Sequence, residues 1–235
     1  MSNTQQATPS SDLSKTMRNG IRMLERLTTH TRGATLSALA DELELNRTSA
    51  HRLVKTLEAH GLVIRDEHKL WHPGWQLIAL AEAVQTDVRS VARPIMESLS
   101  DRTMATSYLV SEINNEEVMA LDVIEPRNAK MHIAFKAGQR HPRDRGSAGI
   151  ALLAGGKYIP GERPEVTKAR QRGYAISSAE VIPSTVGIAA PVCSIKLASA
   201  ASLGISVFDD SCAEELGHEV QTAAHELSRT LNKTL

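Results

Sequence analysis

One stretch constrains this chain more than any other: Leu36 to Val63, LSALADELELNRTSAHRLVKTLEAHGLV. Leu36, Leu39, Ala40 and Leu43 recur at i, i+3, i+4 and i+7, which is one face of a helix. Ala50, Leu53, Val54 and Leu57 repeat that spacing. Glu44-Leu45-Asn46 separates the two sets, with Ser37 the expected N-cap of the first helix and Asn46 of the second. Two short amphipathic helices joined by a three-residue turn form a helix-turn-helix. The outer face of the second helix carries Arg47, Thr48, Ser49, His51, Arg52 and Lys55. In a major groove, Arg and Lys reach guanine O6 and N7, and polar side chains reach other base edges. A charged outer face also follows from solvation alone.

The residues that follow favour DNA. Gly61 stops the helix, Leu62-Val63-Ile64 reads as a short strand, Arg65 to Lys69 as a polar turn, and Leu70-Trp71-His72 as the returning strand. A hairpin directly after the second helix makes the motif a winged helix, with Arg65, His68 and Lys69 at a tip suited to phosphate contacts. Ser37 completes the expected DNA-binding set. Upstream, Met17, Ile21, Leu24 and Leu27 predict one more helix, ended at Thr31-Arg32-Gly33.

Charge tempers this reading. The chain of 235 residues has 27 Lys and Arg against 27 Asp and Glu. Its first 80 residues carry ten against eight. DNA affinity must therefore come from local placement and from oligomerisation rather than a bulk basic field. A hydrophobic share of 41% and a charged share of 23% are those of a globular protein. No apolar run approaches the roughly 18 residues of a membrane helix, so no membrane partner is expected. The polar start MSNTQQATPSSDLS reads as a disordered tail, not a secretory signal. Two cysteines, Cys193 and Cys212, are too few for a disulfide scaffold, and a cytoplasmic location is the expectation.

The domain expectation is a tail over 1–14, a winged helix-turn-helix over 15–74, a linker helix over 75–93 and a second domain over 94–235. In the linker, Trp75, Leu77, Ile78, Leu80, Ala81, Val84 and Val88 supply the helical pattern, which Pro94 breaks or restarts. A helix then runs to about Met104. Strands follow at 106–111, 117–124 and 131–135. A short apolar helix spans 150–154, and a polar one 164–172. Two buried strands at 187–192 and 203–208 precede a last helix at 213–231. The fold class is α+β, with one antiparallel sheet flanked by helices.

Arg145-Gly146-Ser147-Ala148-Gly149 is the candidate pocket. Small residues at a helix start leave N–H groups free for an anion, or simply allow close packing on the sheet. No nucleophile elbow, phosphate loop, zinc-protease or dinucleotide motif is present, so neither enzymatic activity nor a cofactor is expected. His132, His141, Asp144 and Cys193 match no standard metal spacing, and no metal site is assigned.

Five segments in order give the chain its family likeness. They are the Leu36–Val63 head, LWHPGWQLIALAEAV, AGQRHPRDRGSAGIALLAG, RQRGYAISSAEVIPSTVGIAAPV and LGISV. The chain resembles the IclR family of bacterial transcriptional regulators over nearly its whole length after the tail. The resemblance implies a winged helix-turn-helix joined by a linker helix to a GAF-like effector domain. It implies a homodimer or homotetramer on double-stranded palindromic operator DNA, acting as a repressor of catabolic or biosynthetic genes and answering a small organic acid or related metabolite.

By position, the effector is expected against Gly146, Ser147 and Ala148, with Ser178, Val186, Ile188, Ser206 and Phe208 on the sheet and Met131 and Ile133 as a wall. The family often has Thr and Lys near the helix-start glycine, where this chain has Gly146 and Ile150. It often has a carboxylate at Ser178 and a small polar residue at Phe208, so a more apolar pocket and an aromatic or larger acid are expected. Between Ala154 and Pro164 the chain is shorter than the family pattern. Two other readings are a small-molecule enzyme with a helical appendage, and an adaptor whose winged helix binds protein.

Overall fold

The computed structural model describes residues 13–82, 86–128, 133, 135–195, 197 and 199–234. The chain forms two compact units, Met1–Val84 and Gln85–Leu235.

In the first unit, α1 (Lys15–Leu27) is capped by Ser14, whose hydroxyl accepts from the N–H of Met17. Its buried face is Gly20, Met23 and Leu27, whereas Met17 and Ile21 are exposed. The spacing alone had placed Met17 and Ile21 on the core side. The face that packs is instead Gly20, Met23 and Leu27, with Gly20 beside Leu53 at an ordinary contact distance. The helix ends at Thr28, before Gly33.

The helix α2 (Leu36–Glu42) is capped by Thr35, two residues before the expected Ser37, which leaves Ser37 exposed inside the helix. Asn46 caps α3 (Arg47–Ala59) as expected, its side-chain oxygen accepting from Ser49 N–H at 2.8 Å. Leu39, Ala40, Leu43, Ala50, Val54 and Leu57 close a core with Met23, Leu27, Val63 and Trp71. The wing is β1 (Val63–Arg65) against β2 (Trp71–Pro73), antiparallel. Ala34 bridges to Trp71 and ties the wing to the start of α2. The helix α4 (Gln76–Glu82) buries no residue, and Trp75, Ile78 and Leu80 are all exposed.

In the second unit, α5 (Thr86–Thr103) runs straight through Pro94. The expected break there is not observed. Leu99, Met96, Ala92 and Val88 bury one face of the helix on both sides of the proline, and that packing outweighs the roughly 3 kcal/mol interior cost of proline. The expected linker helix therefore falls on α4 and α5, with residues 83–85 outside the described set.

The sheet is antiparallel throughout, in the order β5-β4-β3-β8-β7-β6. Its strands are β3 (Thr106–Glu112), β4 (Glu117–Ile124), β5 (Arg140–Pro142), β6 (Ala175–Ser178), β7 (Val186–Val192) and β8 (Ala201–Val207). Both β5 and β6 are edge strands that the sequence reading missed. They are only three and four residues long, too short for alternation to register. Conversely, Ile133 and Phe135 are not in a strand, and the other residues of the expected 131–135 strand lie outside the described residues.

One face of the sheet packs on α5 and α8 (Ala213–Thr234), through Leu109, Ile188, Ala190, Leu203, Ile205, Val220 and Leu227. The other packs on α6 (Gly146–Gly155) and α7 (Pro164–Arg172), through Val110, Val118, Ala120, Ile150, Ala151, Val166 and Ala189. Both faces are covered, so β3 and β8 are buried along almost their full length.

Candidate functional site

The start of α3 builds the first site. Asn46 fixes the helix start, so Arg47, His51 and Lys55 align along one edge at i, i+4 and i+8. These three, with Thr48, Leu36, Arg65 and Trp71, line one open concavity between α3 and the wing. Arg52 is exposed on α3 but lies outside this concavity, and Ser49 is half-buried with its N–H held by the cap. Lys55 pairs with Glu58, which lowers its availability but does not bury it.

The wing tip is locally rigid. Asp66 accepts from Leu70 N–H and pairs with His72, both at 2.8 Å. The His72 bond, with help from the Leu70 N–H, outweighs desolvation and holds the Asp66 carboxyl below its ordinary range. Lys69 sits at φ +66° and closes the turn on Asp66. Arg65 lies over the Trp71 ring at 5.3 Å. His68 and Lys69 project from the tip, fully exposed, beside Glu67.

The second site lies between the sheet and α6, and its free volume is about 40 Å³. Tyr108, His141, Gly146, Ser147, Ala148, Ser177, Glu180, Thr185, Gly187 and Ser206 line it, together with Phe135 and the Val181–Ile182 turn. Tyr108 and Ser147 hydroxyls meet at 2.8 Å. Burial pushes the Tyr108 phenol up to about 12, against a smaller downward effect of Ser147, so it stays neutral. Phe135 packs edge-on to Tyr108, with ring centres 5.6 Å apart. Burial also pushes the His141 imidazole down, only partly offset by hydrogen bonding at the Pro142 and Arg145 backbone.

Glycine is required twice here. Gly146 starts α6 at φ +74°, and a Cβ there would meet Val181 at 2.5 Å. A Cβ on Gly187 would meet the Ser147 hydroxyl at 2.4 Å. The N–H of Gly146 donates to Glu180 Oε2 at 2.9 Å, and Arg163 Nη2 donates to Glu180 Oε1 at 3.1 Å. Desolvation pushes the Glu180 carboxyl up, but the Gly146 N–H and the Arg163 guanidinium outweigh it and hold it below the usual carboxylate range.

Of the residues expected around an effector, Gly146, Ser147, Ala148 and Ser206 come together at this cavity. Val186 and Ile188 do not, since they are buried against α5 and α8 on the opposite face. Ser178 is exposed, and it is Ser177 that lines the cavity. These three corrections have one cause: a one-residue shift along a strand changes the face. Phe208 lies past the end of β8 and is 49% exposed. Ile133 is buried off the cavity with its N–H on the Thr106 hydroxyl, and Met131 lies outside the described residues. The reading missed Tyr108, His141, Glu180 and Thr185. Alternation from Ser206 and Gly187, carried across to β3, would have pointed to Tyr108.

Among the described residues, no group of three or more His, Cys, Asp and Glu could hold a metal ion, and no helix is long and apolar enough to cross a membrane. His141 lines the cavity, and Cys193 is exposed after β7.

Residues 16–67 match the family model of the IclR helix-turn-helix domain. Two relatives align over most of their length. The HTH-type transcriptional regulator KipR of Bacillus subtilis is 24% identical, over 87% of this chain and 92% of its own. BhcR of Paracoccus denitrificans, another HTH-type transcriptional regulator, is 27% identical over 89% and 87%. Among solved structures, an IclR transcriptional regulator from Alicyclobacillus acidocaldarius superimposes with a TM-score of 0.77 at 23% identity, covering 94% of this chain and 98% of that one. An IclR homologue from Microbacterium hydrocarbonoxydans, complexed with 4-hydroxybenzoate, gives 0.78 at 22% identity, covering 93% and 100%. The two curated relatives carry the name of transcriptional regulators, and the two solved structures share the fold described above. Residues 16–67 are thus similar to the IclR helix-turn-helix domain, and the chain is similar along most of its length to HTH-type transcriptional regulators and to the fold of solved IclR regulators.

Proposed function

We propose that the protein is a ligand-responsive repressor that binds a palindromic operator as a homodimer or homotetramer and senses a small organic acid or related metabolite to control metabolic genes. One observation carries this reading: the unit with the helix-turn-helix is separate from a second unit whose cavity is lined by buried hydroxyls at the start of a helix. The solved homologue with 4-hydroxybenzoate supports a small-molecule effector. The DNA set is Arg47, Thr48, His51, Lys55 and Arg65 in the concavity, with Ser37, Ser49, Arg52, His68 and Lys69 around it. The effector set is the cavity lining.

Oligomerisation rests on the exposed Met17 and Ile21 of α1 and the exposed Trp75, Ile78 and Leu80 beside and within α4. Effector binding shifts the orientation of paired heads through the segment around α4 and α5, a population shift between quaternary states. The domain bounds follow from this scheme: a tail over 1–14, the head over 15–74, the linker over 75–93 and the effector domain over 94–235. The experiment is a gel shift with DNA from the region upstream of the chain's own coding sequence. A discrete complex that survives excess non-specific DNA is expected. Folded protein that forms none there or at neighbouring promoters contradicts the proposal.

A further inference from the structure

The start of α6 is where an acid group would bind, with free N–H groups and the positive end of the helix dipole. In this structure the chain itself supplies the acid. The carboxylate of Glu180 accepts from Gly146 N–H at 2.9 Å and from Arg163 at 3.1 Å. The Arg163 guanidinium also donates to the Asp144 carbonyl and pairs with Glu165 at 3.4 Å, so it is anchored beside the helix start with or without Glu180. Among the described residues lining the cavity there is no lysine or arginine; the cations that act on Glu180 are Arg163, which it holds directly, and Arg145 at the cap of α6.

The segment that carries Glu180 also closes the cavity. Ala179 and Ser184 bound it with φ +56° and +59°, conformations that L side chains adopt at a cost of about 1–2 kcal/mol. Val181 and Ile182 from it, and Thr185 just after it, line the cavity. The remaining volume of about 40 Å³ holds a few waters, whereas a benzene-sized guest occupies a cavity of about 150 Å³. A ring-sized acid therefore enters only if this segment yields, and yielding separates Glu180 from Gly146 and Arg163.

We infer that Glu180 is a specificity-determining residue: a built-in carboxylate that competes with the acid group of an effector for the start of α6 and for Arg163. The exchange is one carboxylate for another on the same donors, and no bond is made or broken. The internal carboxylate raises the ligand concentration needed for occupancy and keeps the cavity narrow when no acid is present. This rests on the reading of the cavity as the effector site.

The test is isothermal calorimetry on the full chain, wild type, Glu180→Ala and Glu180→Gln. The probes are 4-hydroxybenzoate and its uncharged analogue 4-hydroxybenzamide. Losing a charged competitor for a charge-assisted hydrogen bond corresponds to about tenfold or more in affinity. Glu180→Ala is expected to bind 4-hydroxybenzoate at least about tenfold tighter than wild type, while 4-hydroxybenzamide changes by less than about threefold. If wild-type binding is undetectable, the gain is read from the detection limit. Glu180→Gln keeps an acceptor for Gly146 and the same size, so it tests charge even if the alanine variant folds poorly. An unchanged or weakened 4-hydroxybenzoate affinity in folded variants overturns the inference, and so does an equal gain for both probes, which would mean only a roomier cavity. Binding is read without DNA, so these outcomes stay separate from the effector's control of DNA binding. A variant that gains the acid but leaves DNA affinity unmoved would contradict the regulatory reading alone.

Discussion

Neutral groups in the cavity beside α6 are held neutral by burial, and this has a measurable sign at His141. Burial pushes its imidazole below the ordinary 6.5. As pH falls through that value the unfolded chain takes up a proton and the folded chain does not. The contribution of His141 to stability is therefore full above about 6.5 and declines as pH drops below it, until the folded imidazole titrates too. Thermal or denaturant unfolding across this window should show the decline, with a slope of at most about 1.4 kcal/mol per pH unit from this group. His141→Gln should flatten the profile, and an unaltered profile would remove His141 as its source.

In the concavity between α3 and the wing, the proposed contrast is between base reading and phosphate contact. Arg47→Ala, at the start of α3, should lose more specific than non-specific binding, with about 1–3 kcal/mol lost on operator DNA. Lys69→Ala, at the wing tip, should weaken both alike and reduce the salt slope by about one. Anisotropy titrations on operator and random duplex at several salt concentrations distinguish the two.

Among the elements, the helix-turn-helix was the most legible. Its two apolar stripes obey one period, Asn46 is a strong cap, and the Leu39, Val54 and Leu57 positions lie in the core as the spacing requires. Tertiary packing overrode the pattern where it differed. In α1, Gly20, Met23 and Leu27 pack on the core and Met17 and Ile21 are exposed, and apolar burial on both sides of Pro94 kept α5 continuous. The cavity was half legible. Its helix start was visible as Gly146-Ser147-Ala148, but both sheet faces are buried, so no polar alternation marked which residues of β7 face α6. Val186 and Ile188 were taken where Gly187 lines the cavity. Glu180 was invisible because its role comes from a contact with Gly146 N–H across 34 residues of chain. The cap of α3 gives an element-scale test. Asn46→Ala should cost about 1 kcal/mol of stability and weaken DNA binding further by loosening the start of α3. Unchanged melting would show that the cap is dispensable.

At the scale of the whole molecule, equal numbers of acidic and basic residues leave a single head with little bulk attraction for DNA. In the proposed dimer or tetramer, pairing of heads would supply the missing affinity through effective concentration. The account stands or falls on the link between the two units, and thermodynamic linkage measures it. A ligand found by thermal-shift screening of small organic acids would be titrated into the full chain bound to operator DNA. Coupling of 1–3 kcal/mol is typical of allosteric proteins, about 5- to 150-fold in affinity. The ligand should change the operator Kd by a factor in that range, and operator DNA should change the ligand Kd by the same factor. A ligand that binds the effector cavity tightly while the operator Kd stays constant would contradict the account.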